Sequence, residues 1–203
     1  SLCQNYNILM AESSILKKGN NVINQKIINK IGKPFVIKPI DEGSSVGVEV
    51  IFENDNFEIE KYNWKYGEEV IIEQYISGQE LNVAILGQKA LGIIEVIPKE
   101  SLFYDYKSKY TSGMTDYMVP NFSDEKNQEI MDLALRCHNI VGCSDISRVE
   151  FIYSDTSQKL YLLEINTHPG ITSLSLVPKI AKNAGLSFEY IVEYLINNAD
   201  YNK

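Results

Sequence analysis

The sequence has few cysteines, no long apolar run and no excess of basic residues. Its three cysteines are odd in number, and their spacing excludes a disulfide framework and a paired-cysteine metal site. They indicate reduced thiols, which predicts a cytoplasmic location. No apolar run reaches the about 20 residues that cross a bilayer. The N-terminus also lacks the basic, apolar and small-residue regions of a signal peptide.

The net charge of −8 argues against nucleic acid or an anionic membrane as the main partner. It does not exclude ATP, because a local cluster of basic side chains or a bound cation can reverse the potential at one site. Hydrophobic residues make up 44% of the sequence and charged residues 23%. A chain of 203 residues with this composition can form one large domain or two small lobes.

The apolar residues follow strand-like and helix-like patterns in turn along the chain. The predicted strands are 35–38, 46–52, 69–75, 81–86, 90–97, 149–153 and 160–165, and the predicted helices are 22–31, 124–141, 178–184 and 188–197. Residues 99–120 show little periodicity, which predicts an irregular lid-like segment. Because hairpins alternate with helices, the pattern predicts an α+β fold rather than a doubly wound parallel sheet.

The clearest chemical signal is the segment LEINTHPG, residues 163–170. Glu164 and Asn166 stand at i and i+2 at a strand end, so their side chains share a face. Arg148 and Glu150 form a second such pair on the preceding strand, and pairing of the two strands would place Glu150 beside Glu164. Two adjacent carboxylates repel each other unless a cation neutralises them, and carboxylate and amide oxygens suit Mg²⁺.

The alternative is that these charges lie solvated on two exposed strand faces. Apolar neighbours predict buried strands instead, in which unpaired charge is costly. These neighbours are Val149, Phe151, Leu162, Leu163 and Ile165.

A second signal is the segment KPIDEGSSVG, residues 38–47. A lysine that leaves a buried strand and is followed by a Gly/Ser loop can place an ammonium and several backbone N–H groups around phosphates. The order of glycine and lysine excludes a Walker loop, and a plain hairpin turn is an equal alternative. A third segment, EQYISGQE at residues 73–80, carries acids that at strand ends are commonly solvated.

In their order along the chain, these segments resemble the ATP-grasp portion of the D-alanine–D-alanine ligases, from Gly32 almost to the end. The resemblance rests on KPIDEGSSVGV, EEVIIEQYISGQELNVAILG, YDYKSKYTSG, GCSDISRVEF, LLEINTHPGITSLSLVPKIA and AGLSFEYIV. It implies two α+β lobes with mainly antiparallel sheets, residues 1–81 and 82–203, with ATP between them. It also implies ligation of two D-alanines through a D-alanyl phosphate, for peptidoglycan precursor synthesis.

The resemblance assigns a set of residues to ATP: Lys38, Ser45, Val46, Glu73, Tyr75, Ile76, Glu80 and Lys109. Lys38 corresponds to a lysine that contacts phosphate, and Ser45 and Val46 belong to the loop over the phosphates. Glu73 corresponds to the residue that meets the adenine amino group, and Glu80 to the acid on the ribose hydroxyls. Lys109 would reach the γ-phosphate from the lid-like segment.

Glu150, Glu164 and Asn166 correspond to the ligands of two Mg²⁺ ions, which Mn²⁺ can replace. The sequence departs from the family at one of these positions, because the family usually has Asp where this chain has Glu150.

The remaining assignments concern catalysis and the second D-alanine. Arg148 corresponds to the arginine that stabilises the tetrahedral intermediate, and the N–H of Gly170 completes the oxyanion hole. Ser175 and Leu176 correspond to the contacts with the second D-alanine's carboxylate. Tyr110 would bond across to the region of Ser44, which lies over the first substrate.

The family has an N-terminal domain to which nothing in this sequence corresponds. We therefore predict an ATP-grasp fragment that is weak or inactive alone, with D-alanine and that missing domain as partners, and the full enzyme can be a homodimer. One rival is another ATP-grasp carboxylate–amine ligase, which SLSLVPKIA and YDYKSKY disfavour. A non-catalytic nucleotide-binding module is the other, and it would need neither Arg148 nor Ser175.

Overall fold

The computed structural model describes residues 2–99 and 114–199, and it has the predicted α+β architecture with antiparallel sheets. The chain divides into two compact units. The smaller unit comprises residues 11–76 and 98–116, and the larger unit comprises residues 1–10, 77–97 and 117–203. The boundary at residues 81 and 82 stays a prediction about the lobes of the family. Lys109 and Tyr110 lie outside the described residues.

The smaller unit is built on a four-stranded antiparallel sheet in the order β1-β4-β2-β3. Its strands are β1 (Ser13–Lys17), β2 (Phe35–Pro39), β3 (Glu49–Ile51) and β4 (Glu69–Gln74). Strand alternation places Phe35, Ile37 and Ile72 fully buried on one face, where helix α2 (Asn21–Ile31) packs through Ile28. Gly32 ends α2 as predicted, at φ 73° and with its N–H donating to the Ile28 carbonyl at 2.9 Å.

Two strands of this unit differ from the prediction. The sequence pattern did not predict β1, because it has only two apolar residues, Ile15 and Leu16, and Ile15 on the outer face is 46% exposed. The predicted strand 46–52 is wrong at its start, since β3 begins only at Glu49. Val46 instead belongs to a turn, in which its N–H donates to the Gly43 carbonyl at 3.0 Å.

The larger unit contains most of a five-stranded sheet in the order β7-β6-β5-β8-β9, of which Pro98, Thr115 and Asp116 are assigned to the smaller unit. Its strands are β5 (Gly78–Leu86), β6 (Lys89–Pro98), β7 (Thr115–Met118), β8 (Ile146–Ser154) and β9 (Leu160–Asn166), and its helices are α1 (Leu2–Asn5), α3 (Asp124–Ile140), α4 (Leu176–Asn183) and α5 (Phe188–Asn198). Strand β7 falls within the stretch predicted to be irregular, because four residues are too few to show a period of two. Across residues 2–99 and 114–199, no helix has both the length and the apolar character that spanning a membrane requires.

Helices pack on both faces of the larger sheet. Ile130 and Ala134 of α3 join Val83, Val149 and Phe151 in one core, and all five side chains are fully buried. On the other face, a Cβ added to Gly92 would lie 3.5 Å from Ile180 of α4. The sheet therefore has buried positions on both faces, and polar side chains on it require partners.

The helix starts follow capping chemistry. Ser123 and Ser187 cap α3 and α5 as predicted, because their hydroxyls accept the N–H groups of Lys126 and Tyr190 at 3.3 and 3.1 Å. Helix α4 begins at Leu176, two residues before its predicted start. Pro178 fits inside its first turn, where an N–H has no helical partner in any case.

His138 on α3 is a buried histidine whose ionisation opposes folding. Its side chain is 0% exposed, and its Nδ1 lies 2.8 Å from the Ser147 hydroxyl. Nε2 has no hydrogen-bond partner among the described residues. Burial lowers the pKa of His138 below its usual value of 6.5. The unfolded chain therefore takes up the proton more readily, and stability present above pH 6.5 is lost as the pH falls toward the lowered pKa.

We expect the free energy of unfolding to fall more steeply below about pH 6.5 in the wild type than in His138→Gln. The difference in slope can reach about 1.4 kcal/mol per pH unit for one proton. Urea denaturation at a series of pH values measures it. His168→Gln, which removes the other histidine, an exposed one, is the matched control. Equal slopes for the wild type and His138→Gln would contradict this account.

Candidate active site

The strands β8 and β9 bring the two predicted side-chain pairs together. They are antiparallel, and their register places Glu150 opposite Glu164 and Arg148 opposite Asn166. Directly opposite residues have Cβ atoms about 4.5–5.5 Å apart. The predicted pairing of these strands, with Glu150 beside Glu164, is confirmed.

A β-bulge on β9 determines which face the two acids share. Phe151 pairs with Leu162, whereas the adjacent Glu150 pairs with Glu164, so Leu163 is the extra residue. Leu162 and Ile165 both pack on the α3 core, although they are three positions apart and a regular strand would place them on opposite faces. The prediction that Leu163 is buried is wrong, because the bulge leaves it 37% exposed.

Arg148 and Glu150 form an ion pair on the same strand. The Nε of Arg148 donates to Oε1 of Glu150 at 3.0 Å, and Nη2 donates to the same oxygen. Side-chain exposure is 16% for Arg148 and 4% for Glu150, so the pair is largely out of water. The guanidinium offsets the cost of burying this carboxylate.

The loop after β9 holds Gly170 and Ser175 against each other. The Asn166 side-chain oxygen accepts the His168 N–H at 3.0 Å and turns the chain. Further on, the Ser175 hydroxyl accepts the Thr172 N–H at 3.2 Å. A Cβ on Gly170 would lie 2.8 Å from Ser175 Oγ, so only a glycine fits there without displacing that hydroxyl.

Leu176, the other predicted substrate contact, is the first residue of α4 and is 4% exposed.

In the smaller unit, two residues predicted separately for ATP form an ion pair. Lys38 Nζ lies 2.7 Å from Glu73 Oε1, with side-chain exposures of 25% and 16%. The register of β2 and β4 places Lys38 opposite Ile71 and Glu73 opposite Val36. These four residues lie on the sheet face opposite the core and combine one ion pair with two half-buried apolar side chains.

The loop between β2 and β3 has a strained backbone. Ser44 and Ser45 adopt φ values of 54° and 60°, in the left-handed region that residues other than glycine rarely occupy. Such strain persists where the surrounding structure imposes it, and it is common at ligand-binding loops. Val46 lies in the same turn, so the three predicted loop residues are consecutive in one compact segment.

Gly47 closes this loop under a tight steric constraint. Its φ is 72°, and an added Cβ would lie 2.7 Å from the Tyr66 ring and 2.9 Å from Pro39 Cγ. We expect Gly47→Ala to destabilise the smaller unit by about 1–3 kcal/mol, measured by chemical denaturation. Gly43→Ala is the control in the same loop, since nothing lies within 4 Å of its Cβ position. Equal destabilisation by both variants would contradict the steric explanation for Gly47.

Three further predicted ATP residues follow β4 in the sequence. Tyr75 follows this strand, its N–H donates to the Pro34 carbonyl at 3.1 Å, and its ring meets Phe52 edge-on at 5.7 Å. Ile76 comes next, and Glu80 stands on β5 opposite Val96. Tyr75 and Ile76 belong to the smaller unit and Glu80 to the larger unit.

The donor set on β8 and β9 matches the chemistry of Mg²⁺. Within residues 2–99 and 114–199, no group of three or more His, Cys, Asp or Glu side chains could hold a metal ion. The candidate set instead has two carboxylates, Glu150 and Glu164, and the side-chain amide of Asn166, which stands two residues after Glu164 on β9. Hard oxygen donors of this kind suit Mg²⁺, which keeps several waters and takes few protein ligands.

The sequence reasoning missed one residue of this sheet face, Asn82. It stands on β5 directly opposite Glu150 and is 0% exposed. The sequence did contain an indication of this residue, because Asn82 is the one polar residue in the apolar run LNVAIL. Its place beside Glu150 depends on the pairing of β5 with β8, which are separated by more than 50 residues in the chain.

Residues 2–197 match the family model described as "D-ala D-ala ligase C-terminus". Among curated relatives, a D-alanine–D-alanine ligase of Rickettsia bellii is 45% identical over 196 residues, covering 96% of this chain and 60% of the relative. One of Rickettsia massiliae is 43% identical with the same coverage. The chain thus spans about 60% of the length of these relatives.

Two solved structures are similar over 97% of this chain. A D-alanine–D-alanine ligase from Bacillus anthracis, complexed with ATP, gives a TM-score of 0.77 at 28% identity and is covered over 63% of its chain. The VanG D-Ala:D-Ser ligase from Enterococcus faecalis gives a TM-score of 0.81 at 30% identity, with 58% covered.

Proposed function

The chain belongs to the D-alanine–D-alanine ligase family, and on that premise we propose that it is the ATP- and metal-handling part of such a ligase. The proposed reaction phosphorylates the carboxylate of one D-alanine with ATP. The amine of a second D-alanine then attacks the acyl phosphate, and phosphate leaves as the peptide bond forms. The product, D-alanyl-D-alanine, would serve peptidoglycan precursor synthesis in the cytoplasm.

The observation that carries this proposal is the cross-strand arrangement on β8 and β9. It places two carboxylates opposite each other, an arginine beside one of them, and the loop of Gly170 and Ser175 directly after the second strand. A site that only binds a metal ion would need the two carboxylates and neither the arginine nor the loop. Acyl transfer also needs a fixed cation and hydrogen-bond donors where negative charge develops.

Glu150, Glu164 and Asn166 are the residues that would hold two Mg²⁺ ions, or Mn²⁺ in their place. When bound, Mg²⁺ offsets the negative charge of the β- and γ-phosphates. Because Arg148 already contacts Oε1 of Glu150, a cation has to share this carboxylate with Arg148 or displace it. Displacement would release the guanidinium to the reacting acyl group and to the second substrate's carboxylate, for which its planar fork is suited.

The loop after β9 would orient the second substrate. The Gly170 N–H is proposed as an oxyanion-hole donor, and Ser175 with the backbone of Leu176 as contacts for the carboxylate of the second D-alanine. The Ser175 hydroxyl does not cap α4 and is held by Thr172 instead, so its position is fixed before substrate arrives. A fixed donor avoids reorganisation at the moment of reaction.

The smaller unit is proposed to contribute Lys38 and Glu73 to ATP, with Ser44, Ser45 and Val46 in the loop over the phosphates. A carboxylate suits the adenine amino group as an acceptor, and an ammonium suits a phosphate oxygen. ATP bound in this way would replace the ion pair between Lys38 and Glu73 with one contact from each side chain to the nucleotide. Tyr75, Ile76 and Glu80 remain proposed contacts to adenine and ribose, and Lys109 and Tyr110 remain proposed lid residues.

Calorimetry of this chain with Mg²⁺·ATP, with and without D-alanine, tests the proposal. We expect Mg²⁺·ATP to bind, and any ADP release by this chain alone to be weak and to depend on D-alanine rather than L-alanine. Failure of Mg²⁺·ATP to bind would refute the proposal. Selective ADP release with another amino or hydroxy acid would instead indicate a different carboxylate ligase of the same superfamily.

A nucleotide-binding role without turnover is a second candidate for this chain taken alone. The favouring observation is that it spans about 60% of the length of the relatives it matches. Binding of Mg²⁺·ATP without coupling to D-alanine would support this candidate, and added N-terminal domain of a relative should then restore coupling. A homodimer is a further proposal for the full enzyme, and light scattering measures it.

A further inference from the structure

The side-chain amide of Asn82 is a buried polar group without hydrogen bonds in the described part of the chain, and it lies on the face of the larger sheet that carries Glu150. Its side chain is 0% exposed, and both Nδ2 and Oδ1 lack a hydrogen-bond partner among the described residues. Burying an amide without hydrogen bonds costs free energy, whereas a valine in a central strand would gain it. A residue kept at such a cost in the middle of a sheet calls for a reason other than stability.

The register gives Asn82 two charged neighbours. Asn82 stands opposite Glu150, and Ala84 stands opposite Arg148, so Arg148 is the diagonal neighbour of Asn82 on the same face. Glu150 in turn stands opposite Glu164. Directly opposite side chains are within contact distance, and long side chains also reach diagonal positions. The row of Asn82, Glu150 and Glu164 therefore crosses three adjacent strands next to Arg148.

An amide is chemically matched to both of these neighbours. Its N–H₂ group can donate to a carboxylate, and its carbonyl oxygen can accept from a guanidinium. Arg148 and Glu150 now satisfy each other through Oε1 of Glu150. If a cation draws this carboxylate toward Glu164, the hydrogen bonds between Arg148 and Glu150 are lost, and Asn82 can offer a replacement to each side chain.

We propose that Asn82 is a positioning residue that holds Glu150 and Arg148 when their ion pair opens to admit Mg²⁺. Its Nδ2 donates to the Glu150 carboxylate, and its Oδ1 accepts from the Arg148 guanidinium. This inference rests on the proposed function, because it takes Glu150 as a metal ligand. Side chains that orient metal ligands from behind typically change metal affinity by about 10–100-fold when they are removed.

The pair of variants Asn82→Val and Asn82→Thr tests the proposal. Valine and threonine are nearly equal in shape and both favour strands, but only the threonine hydroxyl can donate and accept. The readouts are the ratio of ATP dissociation constants in EDTA and in Mg²⁺, and the melting temperature without ligand. We expect Asn82→Val to lower the Mg²⁺-dependent gain in affinity about tenfold, with ATP binding in EDTA unchanged. Asn82→Thr should keep most of this gain.

The melting temperature distinguishes positioning from a structural role. We expect Asn82→Val without ligand to melt no lower than the wild type, because it removes an unsatisfied buried amide. A lower melting temperature or failure to fold would overturn the inference, since the amide would then be stabilising the fold. An unchanged Mg²⁺ effect in Asn82→Val would also overturn it and would leave the proposed function intact. A wild-type chain whose ATP affinity ignores Mg²⁺ would refute both.

Discussion

Replacing Glu164 by glutamine should reduce the Mg²⁺-dependent part of ATP affinity by at least about tenfold, because even residues behind the metal ligands alter metal affinity by about 10–100-fold. Glutamine keeps the size of the side chain and one oxygen donor but removes the negative charge that attracts the cation. Calorimetry with ATP in Mg²⁺ and in EDTA measures the effect. Binding in EDTA should stay the same.

The same variant should not weaken the fold. Glu164 stands opposite Glu150, and like charges in opposite positions destabilise a sheet by up to about 1 kcal/mol. Because Glu164 is exposed, solvent screens much of this repulsion, so Glu164→Gln should be as stable as the wild type or slightly more stable. Glu193→Gln, an exposed change on α5, is the matched control for charge. Unaltered Mg²⁺ dependence in Glu164→Gln would count against the metal assignment as a whole.

Replacing Arg148 by methionine should destabilise the larger unit by about 3–5 kcal/mol. Glu150 is 3% exposed, and the variant would leave its carboxylate without the guanidinium that balances its charge. Chemical denaturation of the ligand-free chain measures the loss. The sequence contains one other arginine, Arg136, which is exposed, so Arg136→Met is the natural control and should change stability by about 1 kcal/mol at most.

A double variant separates the loss of charge balance from the loss of packing. Arg148→Met combined with Glu150→Gln removes both charges, and we expect it to recover most of the stability lost in Arg148→Met. If the double variant remains as unstable as Arg148→Met, the Arg148 side chain stabilises through its packing rather than through the ion pair. Neither variant should turn over D-alanine, because the proposed reaction needs both side chains.

Short, self-contained patterns were sufficient to predict much of this molecule. The caps at Ser123 and Ser187 depend on chemistry within a few residues, so they could be recognised without knowledge of the fold. The hairpin of β8 and β9 was predictable for the same reason, since its strands are close in sequence and separated by turn residues. Ordered motifs then predicted the family, which the match over residues 2–197 confirms.

Elements and contacts that depend on residues distant in the sequence could not be predicted. Strand β1 is an edge strand with a half-exposed face, and it forms because β4, more than 50 residues later, pairs with it. The ion pair of Lys38 and Glu73 likewise joins residues 35 positions apart. Each of these residues had been assigned to ATP separately, and no local pattern indicated that they meet.

The candidate metal ligands show most clearly which features the sequence determines and which depend on tertiary structure. The spacing of Glu164 and Asn166 by itself determined that the two side chains share a face, because strand side chains alternate with a period of two. It could not determine which face, because an uninterrupted alternation would place Glu164 with Leu162 on the α3 core. The bulge at Leu163 shifts the phase by one residue and brings Glu164 beside Glu150, and only the pairing of β9 with β8 decides that shift.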